Sequence, residues 1–161
     1  LRVVVTRKGF TLEELQNFPL FTQGHEQIKS IIATTDSGLE ATRREIEKSG
    51  SKLHVDLLSF GKNDVDLVRL VQVLGRDFGS KIIDCQGGGQ LTGAFLKAQL
   101  VNEFCITISP IIAGGEDVNG MVRPTAVRTH FGTMDIVSMR LKKVGYCGSH
   151  ELKIYDNLIY K

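Results

Sequence analysis

The stretch that decides the fold runs over Lys81–Leu100 and reads KIIDCQGGGQLTGAFLKAQL. Its apolar beginning, Lys81–Gln86, predicts a strand, which is broken by Gly87–Gly89 before Ala94–Leu100 restarts as a helix. Glycine lets the backbone approach a ligand closely, and the first N–H groups of a helix carry partial positive charge. The stretch therefore predicts an α/β fold with a cradle for a phosphate-bearing cofactor.

The spacing of these glycines matches neither common phosphate-binding motif. No Gly-x-x-x-x-Gly-Lys-Ser/Thr pattern occurs, and Gly87–Gly89 followed by Gly93 fits Gly-x-Gly-x-x-Gly poorly. A P-loop and a standard dinucleotide fold are therefore both disfavoured. On the glycines alone, a tight turn without a ligand remains an equal alternative.

Length and composition predict one soluble globular domain over residues 1–161. The 161 residues, 42% of them hydrophobic, suffice for one substantial core. The net charge of +2 comes from 20 basic and 18 acidic residues mixed along the chain, without the basic block that nucleic-acid binding favours. We expect no nucleic-acid partner.

Cysteine and histidine usage predicts a reducing compartment and no metal. Cys85, Cys105 and Cys147 are odd in number, widely spaced and set in apolar runs, which favours buried free thiols. The histidines are scattered singly and are expected to be ordinary side chains rather than metal ligands: His25, His54, His130 and His150.

No apolar run reaches the length of a membrane span, and no signal peptide is visible. We therefore expect a cytoplasmic protein with no membrane partner. The sequence begins at Leu1, inside an apparent strand, so we expect further sequence upstream that was removed, processed or left out.

The remaining pattern predicts alternating strands and helices. The other strands are expected at Leu1–Thr6, Ser30–Thr35, Leu53–Leu58 and Phe104–Ser109. Helices are expected near Thr11–Leu15, over Leu39–Lys48, and after a cap at Asn63 or Asp64, where Leu67, Leu70, Val71, Leu74 and Phe78 share one face. Two long strands, Met134–Val144 and Leu152–Tyr160, form a hairpin joined by Gly145–Gly148. This order predicts a mostly parallel sheet flanked by helices, with an antiparallel C-terminal hairpin.

Two runs resemble the signature of a known family. Residues 86–104 (QGGGQLTGAFLKAQLVNEF) and 106–115 (ITISPIIAGG) are similar to the riboflavin-biosynthesis reductases, the C-terminal reductase domains of bifunctional deaminase/reductases and their stand-alone relatives. The resemblance extends over most of the chain. It implies a dihydrofolate-reductase-like fold and a homodimer.

The resemblance also implies NADPH as cofactor and assigns residues to it. Thr6 and Arg7 stand where the family contacts the adenosine 2′-phosphate, Thr34 and Thr35 border the adenine, and the pyrophosphate lies at Gly87, Gly88, Gly89, Gln90 and Leu91. Charge-assisted hydrogen bonds of about 1.5–3 kcal/mol each would favour NADPH over NADH by more than about tenfold. The alternative for Arg7 and Lys8 is a solvated basic loop.

The chain departs from the family in two ways. Gln86 stands where the family usually has Glu on the substrate side of the cleft, and an amide supplies no charge. The family also has about one more βαβ segment before the strand at Leu1, and this N-terminal part is absent from the sequence. We expect that segment to be disordered, supplied in another way or outside the numbering.

The reaction implied by the resemblance is NADPH-dependent reduction of a ribosylaminopyrimidine phosphate or of a close pteridine or pyrimidine relative. Gln86 is the candidate substrate-binding residue. No general acid is assigned, because Asp84 faces the cleft only if its strand is regularly pleated. The alternatives are a catalytically degenerate domain that binds nucleotide or only dimerises and, third, dihydrofolate reduction.

Overall fold

The computed structural model describes residues 1–17, 28–49, 55–111 and 137–160. The chain divides into two compact units, Leu1–Lys81 and Ile82–Lys161. In this structure, no helix among the described residues is long and apolar enough to cross a membrane.

The first unit is a parallel sheet with helices between its strands. Its elements are β1 (Arg2–Val5), α1 (Leu12–Asn17), β2 (Ser30–Thr34), α2 (Asp36–Ser49), β3 (Val55–Ser59) and α3 (Leu67–Phe78). The strand order is β1-β2-β3, and Val4, Ile32 and Leu57 share a register position. All five residues of β2 are buried, as the apolar run of a central parallel strand predicts.

Helix α3 confirms the predicted apolar face but not the predicted cap. Leu67, Leu70 and Leu74 are buried on one side of the helix. Asp66 is the N-cap, since its carboxylate accepts from the Arg69 N–H at 2.9 Å. The caps proposed at Asn63 and Asp64 are wrong: Asp64 instead accepts from the adjacent Val65 N–H.

Helix α2 begins at Asp36, three residues before the predicted start. Thr35 is its cap, because its hydroxyl accepts from the N–H of Gly38 at 3.1 Å. The sequence pattern missed this turn because Asp36 to Gly38 carry no apolar side chain.

The described residues of the second unit form an antiparallel sheet and a helix. Its elements are α4 (Gly89–Lys97), β4 (Phe104–Ile108), β5 (Val137–Cys147) and β6 (His150–Tyr160), and the strand order is β4-β6-β5. The hairpin is confirmed, although its turn lies at Gly148 and Ser149 instead of Gly145–Gly148. Gly148 has a left-handed φ of 59°, which suits a tight turn, whereas Gly145 pairs with Leu152 inside the ladder.

The predicted strand over Lys81–Gln86 is wrong. These residues form no ladder with any other described residue, and all six side chains are exposed, Ile82 by 89%. A β-strand requires a hydrogen-bonded neighbour, which composition alone cannot supply. The helix that follows begins at Gly89, five residues before the predicted start at Ala94.

The cysteines are free, as predicted, but the prediction that they are buried is wrong. Cys85, Cys105 and Cys147 are all exposed. Cys105 lies on the outward face of β4, between the half-buried Phe104 and Ile106. Cys85 belongs to the unpaired extended segment and Cys147 ends β5 beside the turn, so the apolar residues around them do not cover them.

Candidate functional site

The carboxyl ends of the three parallel strands form one candidate site. The chain leaves β1 at Thr6, whose N–H donates to the Ala33 carbonyl at 3.0 Å, and leaves β3 at Phe60, whose N–H donates to the Thr34 carbonyl at 2.8 Å. The residues after all three strands are therefore held at a single edge of the sheet. This edge is where open α/β sheets bind their ligands.

The loop after β1 presents two cations at this edge. Arg7 and Lys8 are exposed, and in the described part of the chain neither forms an ion pair. The loop backbone is held from inside, because the Thr35 hydroxyl donates to the Arg7 carbonyl at 2.7 Å and the Thr6 hydroxyl donates to the Gly9 carbonyl at 3.2 Å. A fixed backbone carrying an exposed guanidinium is a suitable anion-binding element.

The two threonines after β2 lie inside the unit. Thr34 has no exposed surface and Thr35 is 1% exposed. The Thr34 hydroxyl has no hydrogen-bond partner among the described residues, whereas the Thr35 hydroxyl serves both the Arg7 carbonyl and the Gly38 N–H. Contact between these side chains and an adenine stays a prediction, while support of the Arg7 loop by Thr35 is observed.

Asp36 also lies at this edge, and the sequence analysis missed it. The Ser59 hydroxyl donates to its carboxylate, and its N–H donates to the Gly61 carbonyl at 2.8 Å. Ser59 ends β3 and Gly61 follows it, whereas the Arg7 loop follows β1, on the other side of the central strand. The bond to Ser59 therefore ties the carboxylate to the β3 side of the edge. An acidic residue directly after a strand was the signal for it.

The glycine loop of the second unit forms another candidate site. Gly88 is the N-cap of α4 and provides no side-chain cap, so the first N–H groups of the helix are not satisfied by a capping side chain. Gly87 and Gly88 are exposed, and a Cβ at Gly88 would meet no atom within 4 Å. A Cβ at Gly87 would lie 2.6 Å from Leu91 Cδ2, so this glycine lets the loop fold over the first helical turn.

Gln86 precedes this loop and contacts an acidic neighbour. Its side-chain amide donates to the carboxylate of Asp84 at 2.7 Å. The two side chains therefore lie on the same side of the extended segment, as alternation along a regular strand requires. Both side chains are exposed. The Asp84 carboxylate therefore lies next to the Gln86 amide, although residue 86 itself is uncharged.

The family can be assigned from the sequence match. The model of the RibD C-terminal domain matches residues 1–150. The chain belongs to the RibD C-terminal domain family. The predicted family and the predicted dihydrofolate-reductase-like α/β class are thereby confirmed.

Solved structures with the same fold have low sequence identity to this RibD C-terminal domain. A pyrimidine reductase-like protein from Corynebacterium diphtheriae is 15% identical with a TM-score of 0.66, over 98% of this chain and 60% of that one. The riboflavin biosynthesis reductase Rib7 of Saccharomyces cerevisiae is 16% identical with a TM-score of 0.60, over 98% and 68%. RibD of Acinetobacter baumannii is 14% identical with a TM-score of 0.53, over 96% and 46%. The chain thus spans about half to two thirds of the length of these proteins.

The predicted site residues of this RibD C-terminal domain fall into two groups. Thr6, Arg7, Thr34 and Thr35 belong to the first unit, where a hydrogen bond joins Thr35 directly to Arg7. Gln86 and Gly87–Leu91 belong to the second unit. Gly9, Gly38 and Thr42, which hold the Arg7 loop, were missed because none of them carries charge and the predicted helix began after Gly38.

Proposed function

We propose that this chain is the reductase part of a riboflavin-pathway enzyme, which uses NADPH to reduce a ribosylaminopyrimidine phosphate. Family membership supports a reductase of this pathway, and the Arg7 loop and the glycine loop each have the character of a phosphate site. NADPH supplies a hydride from its nicotinamide ring when it is bound. The role of the protein is to hold donor and acceptor in register.

The observation that carries the choice of cofactor is the exposed Arg7 at the carboxyl edge of the parallel sheet, which forms no ion pair with any described residue. A phosphate dianion there would replace water around the guanidinium with charge-assisted hydrogen bonds of about 1.5–3 kcal/mol each. The bond from Ser59 ties the Asp36 carboxylate to the β3 side of the edge, which limits its repulsion of such a phosphate. This edge therefore favours the 2′-phosphate of NADPH.

The glycine loop is proposed to bind the pyrophosphate. Gly87 and Gly88 are exposed, and the first N–H groups of α4 have no capping side chain, which matches the anion-binding character of a helix N-terminus. Two phosphates carry enough acceptor oxygens to use several of these donors together.

The substrate is proposed to lie beside Gln86. Its amide carries both a donor and an acceptor, and the adjacent Asp84 carboxylate can accept from a pyrimidine N–H. We assign no general acid among the described residues.

The test is turnover. The purified protein is mixed with NADPH and a ribosylaminopyrimidine phosphate, and the loss of nicotinamide absorbance is followed, with dihydrofolate as a second substrate. We expect oxidation of NADPH that depends on the pyrimidine. Comparable turnover of dihydrofolate would reassign the chain to folate reduction.

A second candidate is a catalytically degenerate domain that binds nucleotide or only dimerises. The observation that favours it is Gln86, whose amide is already engaged by Asp84 and carries no charge. Tight NADPH binding without turnover of any pyrimidine or pterin would favour this candidate over the reductase.

The proposed setting is the cytoplasm, with a homodimer as the working form. Three free, exposed cysteines suit a reducing compartment, where thiols are kept reduced. The dimer is supported by the exposed apolar side chains of β5, Met139, Leu141, Val144 and Tyr146.

A further inference from the structure

The feature behind this inference is a buried hydroxyl under the Arg7 loop. Thr42 has no exposed surface, although it lies in a helix whose other polar side chains are largely exposed. Its hydroxyl donates to the Gly38 carbonyl at 2.8 Å and accepts from the Phe10 N–H at 2.8 Å. Thr42 therefore joins helix α2 to the far end of the loop that carries Arg7.

Two glycines let the loop reach this hydroxyl. A Cβ at Gly9, whose φ is 78°, would lie 2.2 Å from the Gly38 carbonyl oxygen and 2.4 Å from Thr42 Oγ1. A Cβ at Gly38 would lie 2.8 Å from the Arg7 carbonyl oxygen and 2.8 Å from the Gly9 nitrogen. A side chain at either position would therefore force the loop and the helix apart.

The loop is thus held at two points. The Thr35 hydroxyl donates to the Arg7 carbonyl at the start of the loop, and the Thr42 hydroxyl accepts from the Phe10 N–H at its end. Between them, Arg7 and Lys8 are exposed. A guanidinium recognises a phosphate by geometry as well as by charge, so the position of its backbone decides how well it can bind.

We propose that Thr42 is a positioning residue for cofactor selectivity, which acts through the loop Thr6–Phe10 to hold Arg7 where it meets the 2′-phosphate of NADPH. This inference rests on the proposed function. It assigns the selectivity to a buried helix residue together with the exposed arginine.

The test measures the dissociation constants of NADPH and NADH by nicotinamide fluorescence for wild type, Thr42→Val and Thr42→Ser. Valine keeps the shape and removes the hydroxyl, while serine keeps the hydroxyl. We expect Thr42→Val to raise the dissociation constant of NADPH by about fivefold or more and that of NADH by less than about twofold. Thr42→Ser should stay within about twofold of wild type for both. Should Thr42→Val fail to fold, Thr42→Ala removes the same hydroxyl in a residue of higher helix propensity.

A double-mutant cycle identifies the route of the effect. If Thr42 acts through Arg7, Thr42→Val should change NADPH binding by less than about twofold in an Arg7→Ala background. Amide hydrogen exchange of residues 6–10 gives a readout without cofactor, and it should be faster in Thr42→Val than in Thr42→Ser.

Three results would overturn the inference: unchanged selectivity in Thr42→Val, an equal loss of NADPH and NADH, or a full effect in the Arg7→Ala background. Failure of the proposed function looks different, because wild type would then bind neither cofactor or would show no preference between them.

Discussion

Arg7 has the most specific task of any residue in this account. Replacing it with alanine should weaken the binding of NADPH by about tenfold or more and change the binding of NADH by less than about twofold. The reason is that only the 2′-phosphate would lose a partner. The two titrations measure this directly.

Arg69→Ala is the matched control for Arg7→Ala. Arg69 is also exposed, lies in the same unit on α3, and has no ion pair among the described residues. Its loss should change neither affinity. An equal effect of the two substitutions would show that general charge attracts the cofactor and that Arg7 has no specific role.

Gly88 tests the glycine loop at the same scale. A methyl group there meets no protein atom within 4 Å, so Gly88→Ala should leave the fold intact and weaken both NADPH and NADH by placing a side chain where the pyrophosphate approaches. Gly145→Ala, in β5, is the control, since a Cβ there also meets no atom within 4 Å. Unchanged cofactor affinity in Gly88→Ala would remove this loop from the site.

Charge and missing side chains are visible in sequence, and together with the family resemblance they predict cofactor roles for Arg7 and for the glycines of the loop. These roles stay predictions. Thr35 and Thr42 were not understood from sequence, because their hydroxyls act on the backbone of a loop about thirty residues away. Such partners become known only when the fold brings them together.

At the scale of single elements, α3 offers an internal comparison between two glycines. Gly79 ends the helix with a left-handed φ of 66°, so Gly79→Ala should lower the free energy of unfolding by about 1 kcal/mol. Gly75 lies inside the helix, where a Cβ would make only an ordinary contact of 3.8 Å, so Gly75→Ala should raise it by about 0.5–1 kcal/mol. Denaturant unfolding of both variants checks the signs, and effects of the same sign would contradict the assigned helix end.

The hairpin carries a pH-dependent pair. Arg140 donates to both carboxylate oxygens of Asp156 at 3.0 and 3.1 Å, and this hydrogen bonding lowers the pKa of Asp156. A carboxyl with a lowered folded pKa stabilises the protein above its unfolded pKa and loses that contribution as the pH falls through the folded pKa. Arg140→Gln should therefore lower Tm slightly at neutral pH and have a vanishing effect in acid. A difference that persists in acid would show that Arg140 acts through packing alone.

Element prediction failed where strands depend on distant partners. The periodicity of Leu67 to Leu74 defined α3 from local sequence, because a helix makes its own hydrogen bonds. Lys81–Gln86 has a similarly suggestive apolar pattern, yet it pairs with no described residue. The hairpin turn was predicted too early, at Gly145–Gly148. Gly145 and Gly148 were both candidates for the turn, and sequence does not show that Gly148 is the one with a positive φ.

At the scale of the whole molecule, we expect a homodimer with twice the 17.8 kDa mass of the chain. Sedimentation equilibrium should show this mass. Leu141→Glu should shift the equilibrium toward monomer, because Leu141 is an apolar side chain that is 49% exposed on a strand of the antiparallel sheet. Val68→Glu, at a residue 45% exposed on α3, should leave the mass unchanged. A monomer at all concentrations would contradict the dimer, and an equal effect of both variants would place the interface elsewhere.

The α/β class and the family could be predicted from sequence, because the glycine loop with its flanking runs is specific over about thirty residues. The division of the strands between a parallel and an antiparallel sheet could not. Phe104–Ile108 reads like any buried strand, and only its register with His150–Tyr160 shows that it pairs antiparallel. The substrate is even harder to predict from sequence, since one fold serves many substrates.

The most direct test of the central claim is a titration of the purified protein with NADPH and then with NADH, followed by nicotinamide fluorescence. We expect binding at about micromolar concentration with a preference of more than about tenfold for NADPH. Binding of neither cofactor, or equal binding of both, would contradict it.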